Sequence, residues 1–404
     1  MLKWYYPQTP CGRPVNFVHW YTLLYKLACV WPVENSKILF SIGISLLWAV
    51  YAHSMFAEVS FILENLSEIN LAIMCISNVT AKLNVICRMI NVIWNHDKLK
   101  KVFDMLYTSM YIDRDEYAHY HDKAEQKIKI LFSICNKYWV PMSIYSFSSI
   151  ITLVEDPYNQ EKPHVYPSYF PYYDDQSIAA YALINLSYIY IGVITICFWL
   201  AEDVFIGIAM IYTQARYQML FEEIKDLRLF TGNISSFKIK LHRILKKQQI
   251  LQEFKSHTEK LFSFPMSIAM GYSTLHFSIL PFVLITNESG VHNIKFITWL
   301  LVELLEIFTL CYFGQRTSEA ADDIKDEWYF CGWEELFRRD VERNSALSIL
   351  KDIQIAITKS TKKTAYRTWY IWDLSFEGLV KVAQTSFTYF MFLRTLQVNI
   401  KNEF

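Results

Sequence analysis

Residues 177–201 read SIAAYALINLSYIYIGVITICFWLA, a run of 25 residues that contains no charged side chain. An α-helix needs about 20 largely apolar residues to cross the hydrocarbon core of a membrane, so this run is long enough to span one. Six further apolar segments of similar length carry at most two charged residues each, and they are residues 38–57, 69–94, 130–154, 261–287, 296–315 and 382–400. The sequence therefore predicts an all-α polytopic membrane protein with seven transmembrane helices.

The composition of the 404 residues favours a membrane protein and argues against a nucleic-acid binder. Hydrophobic residues make up 53% and charged residues 19%, whereas soluble proteins average about 25% charged residues. Lys plus Arg equals Asp plus Glu at 39 each, so the chain lacks the net positive charge that attracts nucleic acid. The mean hydropathy is a modest +0.15, which indicates that much of the chain lies outside lipid.

Basic residues alternate along the segments that connect the predicted spans. Residues 1–37, 96–129, 202–260 and 316–380 contain four, seven, ten and ten of them, whereas the three intervening connections contain none, one and one. Cytoplasmic loops carry the excess of Lys and Arg, so the N-terminus is predicted inside and, after seven crossings, the C-terminus outside. Two N-x-S/T sequons lie in predicted outer loops and are candidate N-glycosylation sites, and they begin at Asn65 and Asn287.

The cytoplasmic segments are predicted to be helical. Apolar residues at helical spacing continue the fourth span and lead back into the fifth, over about residues 203–260. We interpret these extensions as part of a cytoplasmic anchor domain that holds several subunits together, with a solvated helical hairpin as the alternative. The predicted organisation is an N-terminal segment, spans one to six, an anchor segment, the seventh helix and an extracellular tail, at residues 1–37, 38–312, 313–374, 375–400 and 401–404.

The last span combines polar and apolar residues in a helical pattern. Six residues recur at steps of three or four and share one helix face, and they are Lys381, Thr385, Thr388, Phe392, Thr395 and Asn399. Hydroxyl and amide groups replace part of an ion's hydration shell, and an apolar ring closes a water path by dewetting. Several such helices could line a pore. The alternative is a polar seam inside the subunit's own bundle.

Ionisable residues inside the spans do not form a recognisable catalytic set. No nucleophile elbow, Gly-rich phosphate loop or HExxH motif occurs, so we expect no enzyme, no cofactor and no metal site. Glu202 and Asp203 are expected to mark the lipid boundary at the inner end of span four. Glu303 and Glu306 in span six, and Lys82 in span two, predict either an internal charge pair or a water-lined vestibule.

Three short motifs carry a family resemblance. Residues 385–396, TSFTYFMFLRTL, resemble the closing signature of insect odorant receptors, and residues 329–336, YFCGWEEL, are similar to the YxxxWxxL element that precedes their final span. Residues 311–314, CYFG, resemble the end of their sixth span. Insect gustatory receptors share the architecture, but Thr395 and Leu396 stand where their Gln-Phe pair belongs. A G-protein-coupled receptor has the opposite orientation. This sequence also lacks the acidic-Arg-aromatic triplet that ends span three in that class and the NPxxY-like sequence that ends span seven.

The resemblance implies an odour-tuned olfactory receptor subunit of sensory transduction. Such a subunit forms a ligand-gated, nonselective cation channel of four subunits, a heterotetramer with the odorant receptor co-receptor, in the plasma membrane of sensory neuron dendrites. By motif position, Phe392 and Leu396 correspond to the hydrophobic gate and Thr395 to a narrow polar ring. Thr385, Thr388 and Asn399 complete the pore face. Phe392 replaces the family's usual aliphatic residue.

The resemblance also implies an odorant pocket in the outer half of spans two, three, four and six. An apolar pocket with few polar groups suits small volatile ligands. The candidate residues face one side of each span, and they are Ile73, Ile76, Ser77, Tyr145, Ser148, Ser149, Thr152, Tyr181, Asn185, Tyr188, Gly192, Ile297 and Leu300. Packing within the bundle is the alternative for each.

Overall fold

The computed structural model describes residues 18–28, 37–66, 68–112, 114–155, 168–172, 177–228, 234–286, 290–334, 343–360, 365–369 and 372–403. Within these residues the chain is almost entirely helical, which confirms the all-α prediction. The helices are α1 Val18–Leu27, α2 Lys37–Glu64, α3 Ile69–Trp94, α4 His96–Met105, α5 Arg114–Glu155, α6 Ile178–Arg228, α7 Ile234–Thr286, α8 Gly290–Tyr329, α9 Arg343–Ser360 and α10 Phe376–Glu403, and a π-helical turn, Leu106–Met110, follows α4.

Each of the seven predicted spans falls on one long helix. They lie on α2, α3, α5, α6, α7, α8 and α10. Among the described residues, five of these helices are long and apolar enough to cross a membrane, namely α2, α3, α6, α7 and α8. In the second half of α5 the side chains lie outside the described residues, and in α10 the Thr, Gln and Asn residues lower the hydropathy. The number of crossings and their orientation remain predictions.

Four helices continue far beyond the length that lipid requires. The helices α5, α6, α7 and α8 contain 42, 51, 53 and 40 residues. At about 1.5 Å per residue, each exceeds the roughly 30 Å thickness of a hydrocarbon core. The predicted helical extensions of spans four and five are therefore present. The turn predicted at residues 231–233 lies outside the described residues.

Ionisable groups of the extensions hold neighbouring helices together. Lys127 of α5 donates a hydrogen bond to the side chain of Gln214 on α6, at 2.6 Å. Burial, and then the positive charges of Lys123 and Arg316, lower the pKa of Lys127 to about 8. In the same region Lys255 of α7 donates to the carbonyl oxygen of Ala365, at 3.3 Å, and burial lowers its pKa as well.

A short hairpin, which the sequence analysis did not predict, fixes the start of α10. Strand β1, Arg367–Thr368, pairs antiparallel with strand β2, Trp372–Asp373. After the hairpin, the Leu374 amide donates to the Tyr366 carbonyl at 2.9 Å, and the Tyr366 hydroxyl contacts the Thr213 hydroxyl of α6 at 3.2 Å. The first turn of α10 is thereby tied to the centre of α6.

Gly314, the last residue of the CYFG motif, allows α8 to approach this junction. A Cβ atom at Gly314 would collide with the backbone carbonyl of Leu374, which cannot move aside as a flexible side chain would. We expect Gly314→Ala to lower the stability of the folded receptor by about 1–3 kcal/mol, the usual range for overpacking. Thermal unfolding of the detergent-purified receptor, followed by fluorescence-detected size exclusion, measures this loss.

A matched glycine serves as the control for that prediction. A Cβ atom at Gly271 of α7 would meet no atom within 4 Å. Because glycine in a helix interior is less favourable than alanine by roughly 0.5–1 kcal/mol, Gly271→Ala is expected to preserve or raise the unfolding temperature. Equal unfolding temperatures for the two variants would contradict the packing argument.

Candidate functional site

The helix α10 contacts the rest of the chain along one face. Val382 and Ser386 are 1% and 3% exposed. They lie one turn apart from each other, on the side of α10 that packs against α7. Phe390 and Leu393 continue this side and are half-buried. A Cβ atom at Gly378, one turn earlier, would collide with the carbonyl oxygen of Asp373. This face anchors α10 to its own bundle.

The predicted pore face of α10 is uncovered. Thr385, Thr388 and Thr395 are exposed, and their hydroxyl groups donate to carbonyl oxygens of the preceding turn at 2.8, 3.0 and 2.9 Å. Phe392 and Leu396 are 59% and 42% exposed. The side chain of Asn399 lies outside the described residues. The polar seam within the subunit is formed by Ser386 on the opposite face, whereas the threonine stripe points away from the chain.

An apolar cluster brings several predicted ligand residues together. We call it the α7–α8 cluster, and its buried members are Trp199, Tyr272, Ile279, Leu280, Val283, Phe296 and Trp299. Ile73 and Ile76 of α3 and Leu300 of α8 pack against it, as does Leu393 of α10. Ser77 is fully buried beside the cluster. Candidates from α3 and α8 therefore share one environment with the last helix.

The remaining pocket candidates lie elsewhere. Tyr188 is buried in a separate small cluster with Ala57, Phe170 and Ile184. On α6, Tyr181 and Gly192 are half-buried, and the Asn185 amide donates to the Tyr181 carbonyl at 2.8 Å. Ile297 is 45% exposed and is not among the buried or half-buried side chains of the α7–α8 cluster. The candidates on α5, whose side chains lie outside the described residues, are Tyr145, Ser148, Ser149 and Thr152.

A buried ion-pair network joins three helices, and the sequence indicated an internal charge pair for Glu306 without indicating Arg88 as its partner. Arg88 of α3 is fully buried and pairs with Glu202 and Asp203 of α6, the latter at 2.7 Å, and with Glu306 of α8 at 3.3 Å. The indole of Trp199 also donates to Glu306. The side chains of Glu202 and Asp203 both point into the bundle, where a guanidinium neutralises them, and the expectation that they mark the lipid boundary stays a prediction.

Two further ionisable residues inside the spans, Lys82 and Glu303, lie beside titratable side chains. Lys82 contacts Glu58 at 2.7 Å, and both side chains are buried, so the internal charge pair is confirmed for Lys82. Glu58 had been assigned to the first loop, but α2 continues through it to Glu64. Glu303 lies 3.3 Å from Nδ1 of His276 on α7, and both are fully buried. In the sequence, the only indication of the Lys82 partner was an acidic residue, Glu58, close to the end of the neighbouring span.

Potential metal ligands meet at one place in the described part of the chain. The side chains of His121, Asp122 and Glu125 approach one another on the partly exposed surface of α5. Acidic groups on a surface commonly do so without an ion, and a contact between Nδ1 of His121 and the Asp122 carboxylate at 3.3 Å already accounts for part of this arrangement. We assign no metal or cofactor to it.

Long apolar helices, internal ion pairs and a last helix with an uncovered hydroxyl face define a polytopic helical membrane protein. The profile of a family described as 7tm Odorant receptor matches residues 66–387. The chain therefore belongs to this odorant receptor family, whose members are named as receptors rather than enzymes.

Individual relatives cover most of the chain at low identity. Odorant receptor 35a of Drosophila melanogaster is 21% identical over 320 residues, covering 77% of this chain and 76% of its own length. Odorant receptor 74a of the same species is 19% identical, covering 97% of this chain and 99% of its own length.

Solved structures share the fold. The olfactory receptor OR5 from Machilis hrabei matches with a TM-score of 0.78 and 14% identity, covering 93% of this chain and 97% of its own. Its complex with eugenol matches with a TM-score of 0.75 and 14% identity, covering 95% and 100%. The fold of this chain is thus that of an insect olfactory receptor.

Proposed function

We propose that the chain is the odour-tuned subunit of an odorant-gated, nonselective cation channel. The observation that carries this proposal is the pair of faces on α10. One face is tied to the subunit's own bundle through Val382 and Ser386, and the other presents Thr385, Thr388 and Thr395 outward. Such a row of hydroxyl groups suits a water path or contact with a neighbouring helix.

An oligomer around a central water path gives the uncovered face such surroundings. We propose four subunits, with the odorant receptor co-receptor supplying the others. Each α10 then contributes Phe392 and Leu396 to an apolar gate and Thr395 to the polar ring beside it. Further apolar side chains of α10 remain exposed in the single chain, among them Phe387 at 64% and Val398 at 50%, and these are available for contacts with neighbouring subunits.

The odorant is proposed to bind at the walls of the α7–α8 cluster. Ile73, Ile76 and Leu300 offer apolar contacts there, and Ser77 lies beside them. The structural relative OR5 has been solved with eugenol, a small aromatic volatile. A small volatile is the ligand class that such an apolar environment with few polar groups would recognise.

The proposed location and organisation follow from the same assembly. We propose a plasma membrane protein of sensory neuron dendrites, with the N-terminus inside and the extensions of α6, α7 and α8 forming the cytoplasmic anchor with residues 313–374. Residues 375–400 form the pore-lining helix. Asn65 is proposed as a glycosylation site on the outer side; Asn287, the other candidate, lies outside the described residues.

Electrical recording with G-protein signalling blocked tests the proposal. The receptor is expressed with and without the co-receptor and exposed to a panel of eugenol, octanol, hexyl acetate and benzaldehyde, with guanosine 5′-thiodiphosphate in the pipette. We expect a volatile of this panel, or of an extended one, to evoke cation currents within milliseconds only when both subunits are present. Such currents would exclude a metabotropic receptor.

Two outcomes would contradict the proposal. Absence of volatile-evoked current, with both subunits shown at the cell surface by labelling, argues against an odorant-gated channel. Currents that need no co-receptor and respond to sugars rather than volatiles would favour the gustatory alternative.

A further inference from the structure

A polar seam connects α7 to α10 at Ser386. The Ser278 hydroxyl of α7 donates to the Ser386 carbonyl oxygen, and the Ser386 hydroxyl donates to the Thr274 carbonyl oxygen, both at 2.9 Å. All three side chains are at least nine-tenths buried. The two helices therefore exchange hydrogen bonds in both directions at one level.

The hydrogen bonds of this seam can be exchanged without loss. The Ser278 hydroxyl also lies 2.9 Å from the Thr274 carbonyl of its own helix, and the Ser386 hydroxyl lies 2.7 Å from the Val382 carbonyl of its own helix. Each hydroxyl has one hydrogen, so a bond across the seam can be replaced by one within the helix. The helix α10 can therefore move along α7 without leaving a buried hydroxyl unpaired, which would otherwise be unfavourable.

His276 lies within the same turn of α7 and connects it to α3 and α8. Its Nε2 is 3.1 Å from the Ser77 carbonyl oxygen, which can only accept, so Nε2 carries a hydrogen. The Thr80 hydroxyl lies 3.0 Å from the same nitrogen. On the other side of the ring, Nδ1 faces Glu303 of α8 at 3.3 Å. One side chain thus links the two helices that carry the walls of the proposed pocket.

The α7–α8 cluster provides a second contact between those walls and α10. Ile76 of α3, Leu300 of α8 and Leu393 of α10 all pack against this one buried cluster. A ligand that separates α3 from α8 would act on His276 and on Leu393 together. The turn from Thr274 to Ser278 connects these contacts to the seam, because it contains His276 as well as Ser278.

We infer that this turn of α7 couples the pocket walls to the pore helix, with His276 as the positioning residue and the Ser278–Ser386 seam as the element that changes partners. The inference rests on the proposed channel function. The seam has two hydrogen-bonding arrangements, one across the helices and one within each helix. Coupling requires that both the pocket and the pore shift the balance between such arrangements.

A double-mutant cycle on the assembled channel tests the inference. The concentration for half-maximal current is measured with the most effective volatile of the panel for the wild type, His276→Gln, Ser386→Ala and the double variant. We expect each single change to shift that concentration by at least about threefold, and the double variant to depart from the product of the two shifts by at least about threefold. Ser386→Thr, which keeps the hydroxyl, is expected to restore the wild-type concentration.

Thr286 provides the matched control. Among the described residues, its hydroxyl donates to carbonyl oxygens of α7 alone, at 3.0 and 3.3 Å, and it is two turns beyond Ser278. His276→Gln and Thr286→Ala should combine multiplicatively. If His276→Gln fails to reach the cell surface, Thr80→Val removes the α3 contact instead and is combined with Ser386→Ala.

The outcomes separate this inference from the channel itself. Multiplicative behaviour of His276→Gln, or of its replacement Thr80→Val, with Ser386→Ala in a channel that responds to volatiles would overturn the coupling and leave the proposed function standing. A wild-type complex that reaches the surface and conducts no volatile-evoked current would overturn both.

Discussion

Replacing Arg88 with alanine is expected to remove most of the folded receptor. The guanidinium is fully buried among Glu202, Asp203 and Glu306, and its loss leaves three carboxyl groups facing one another without a cation. Breaking a buried ion pair from one side costs about 3–5 kcal/mol, a large share of the roughly 5–15 kcal/mol that typically stabilises a folded protein. Surface labelling and the monodisperse fraction in size exclusion measure the loss.

Two comparisons define what this result means. Arg316→Ala removes an exposed ion pair to Glu319 and is expected to leave the folded fraction unchanged. Replacing all four network residues with neutral counterparts, Arg88→Met, Glu202→Gln, Asp203→Asn and Glu306→Gln, should restore part of the fraction lost by Arg88→Ala, because no charge remains unpaired. Wild-type levels of folded Arg88→Ala receptor would show that the network does not hold α3, α6 and α8 together.

Replacing Phe392 with alanine is expected to raise the current that flows without odorant. The ring is 59% exposed on the face of α10 proposed to line the pore, and an apolar constriction closes such a path by excluding water. Alanine is smaller than phenylalanine, so each subunit that carries the substitution widens the constriction. We therefore expect the basal cation current per surface receptor to rise about fivefold or more. Whole-cell recording, normalised to surface labelling, measures it.

Phe387 is the control for that experiment. It is 64% exposed on the same helix, and its position is rotated well away from that of Phe392. Phe387→Ala removes a proposed subunit contact but no gate side chain, so the basal current per surface receptor is expected to stay unchanged. An equal rise in both variants, or in neither, would argue against Phe392 as part of a gate.

The sequence was sufficient to predict the seven long helices and the two faces of α10. A long apolar run such as residues 177–201 predicts a membrane-spanning helix independently of the helices that pack against it, because the backbone must satisfy its own hydrogen bonds in lipid. Steps of three and four place Thr385, Thr388 and Phe392 on one side of any helix, so their common face did not depend on the tertiary structure. The small hairpin before α10 escaped prediction because its strands contain two residues each.

The partners of the buried charges could not be predicted from spacing. Arg88 pairs with residues 114, 115 and 218 positions away, and the helix rotations that bring them together arise from packing of the whole bundle. The pocket candidates depended on the same rotations. Ile73, Ile76 and Leu300 meet at one cluster, whereas Ile297, only three residues from Leu300, is 45% exposed.

A cryo-electron microscopy map of the receptor assembled with the co-receptor in a lipid nanodisc tests the central claim most directly. We predict four α10 helices around one axial tunnel, with Phe392, Thr395 and Leu396 of this subunit turned toward its water. A map in which the threonine face of α10 contacts acyl chains, and no axial tunnel exists, would contradict the account.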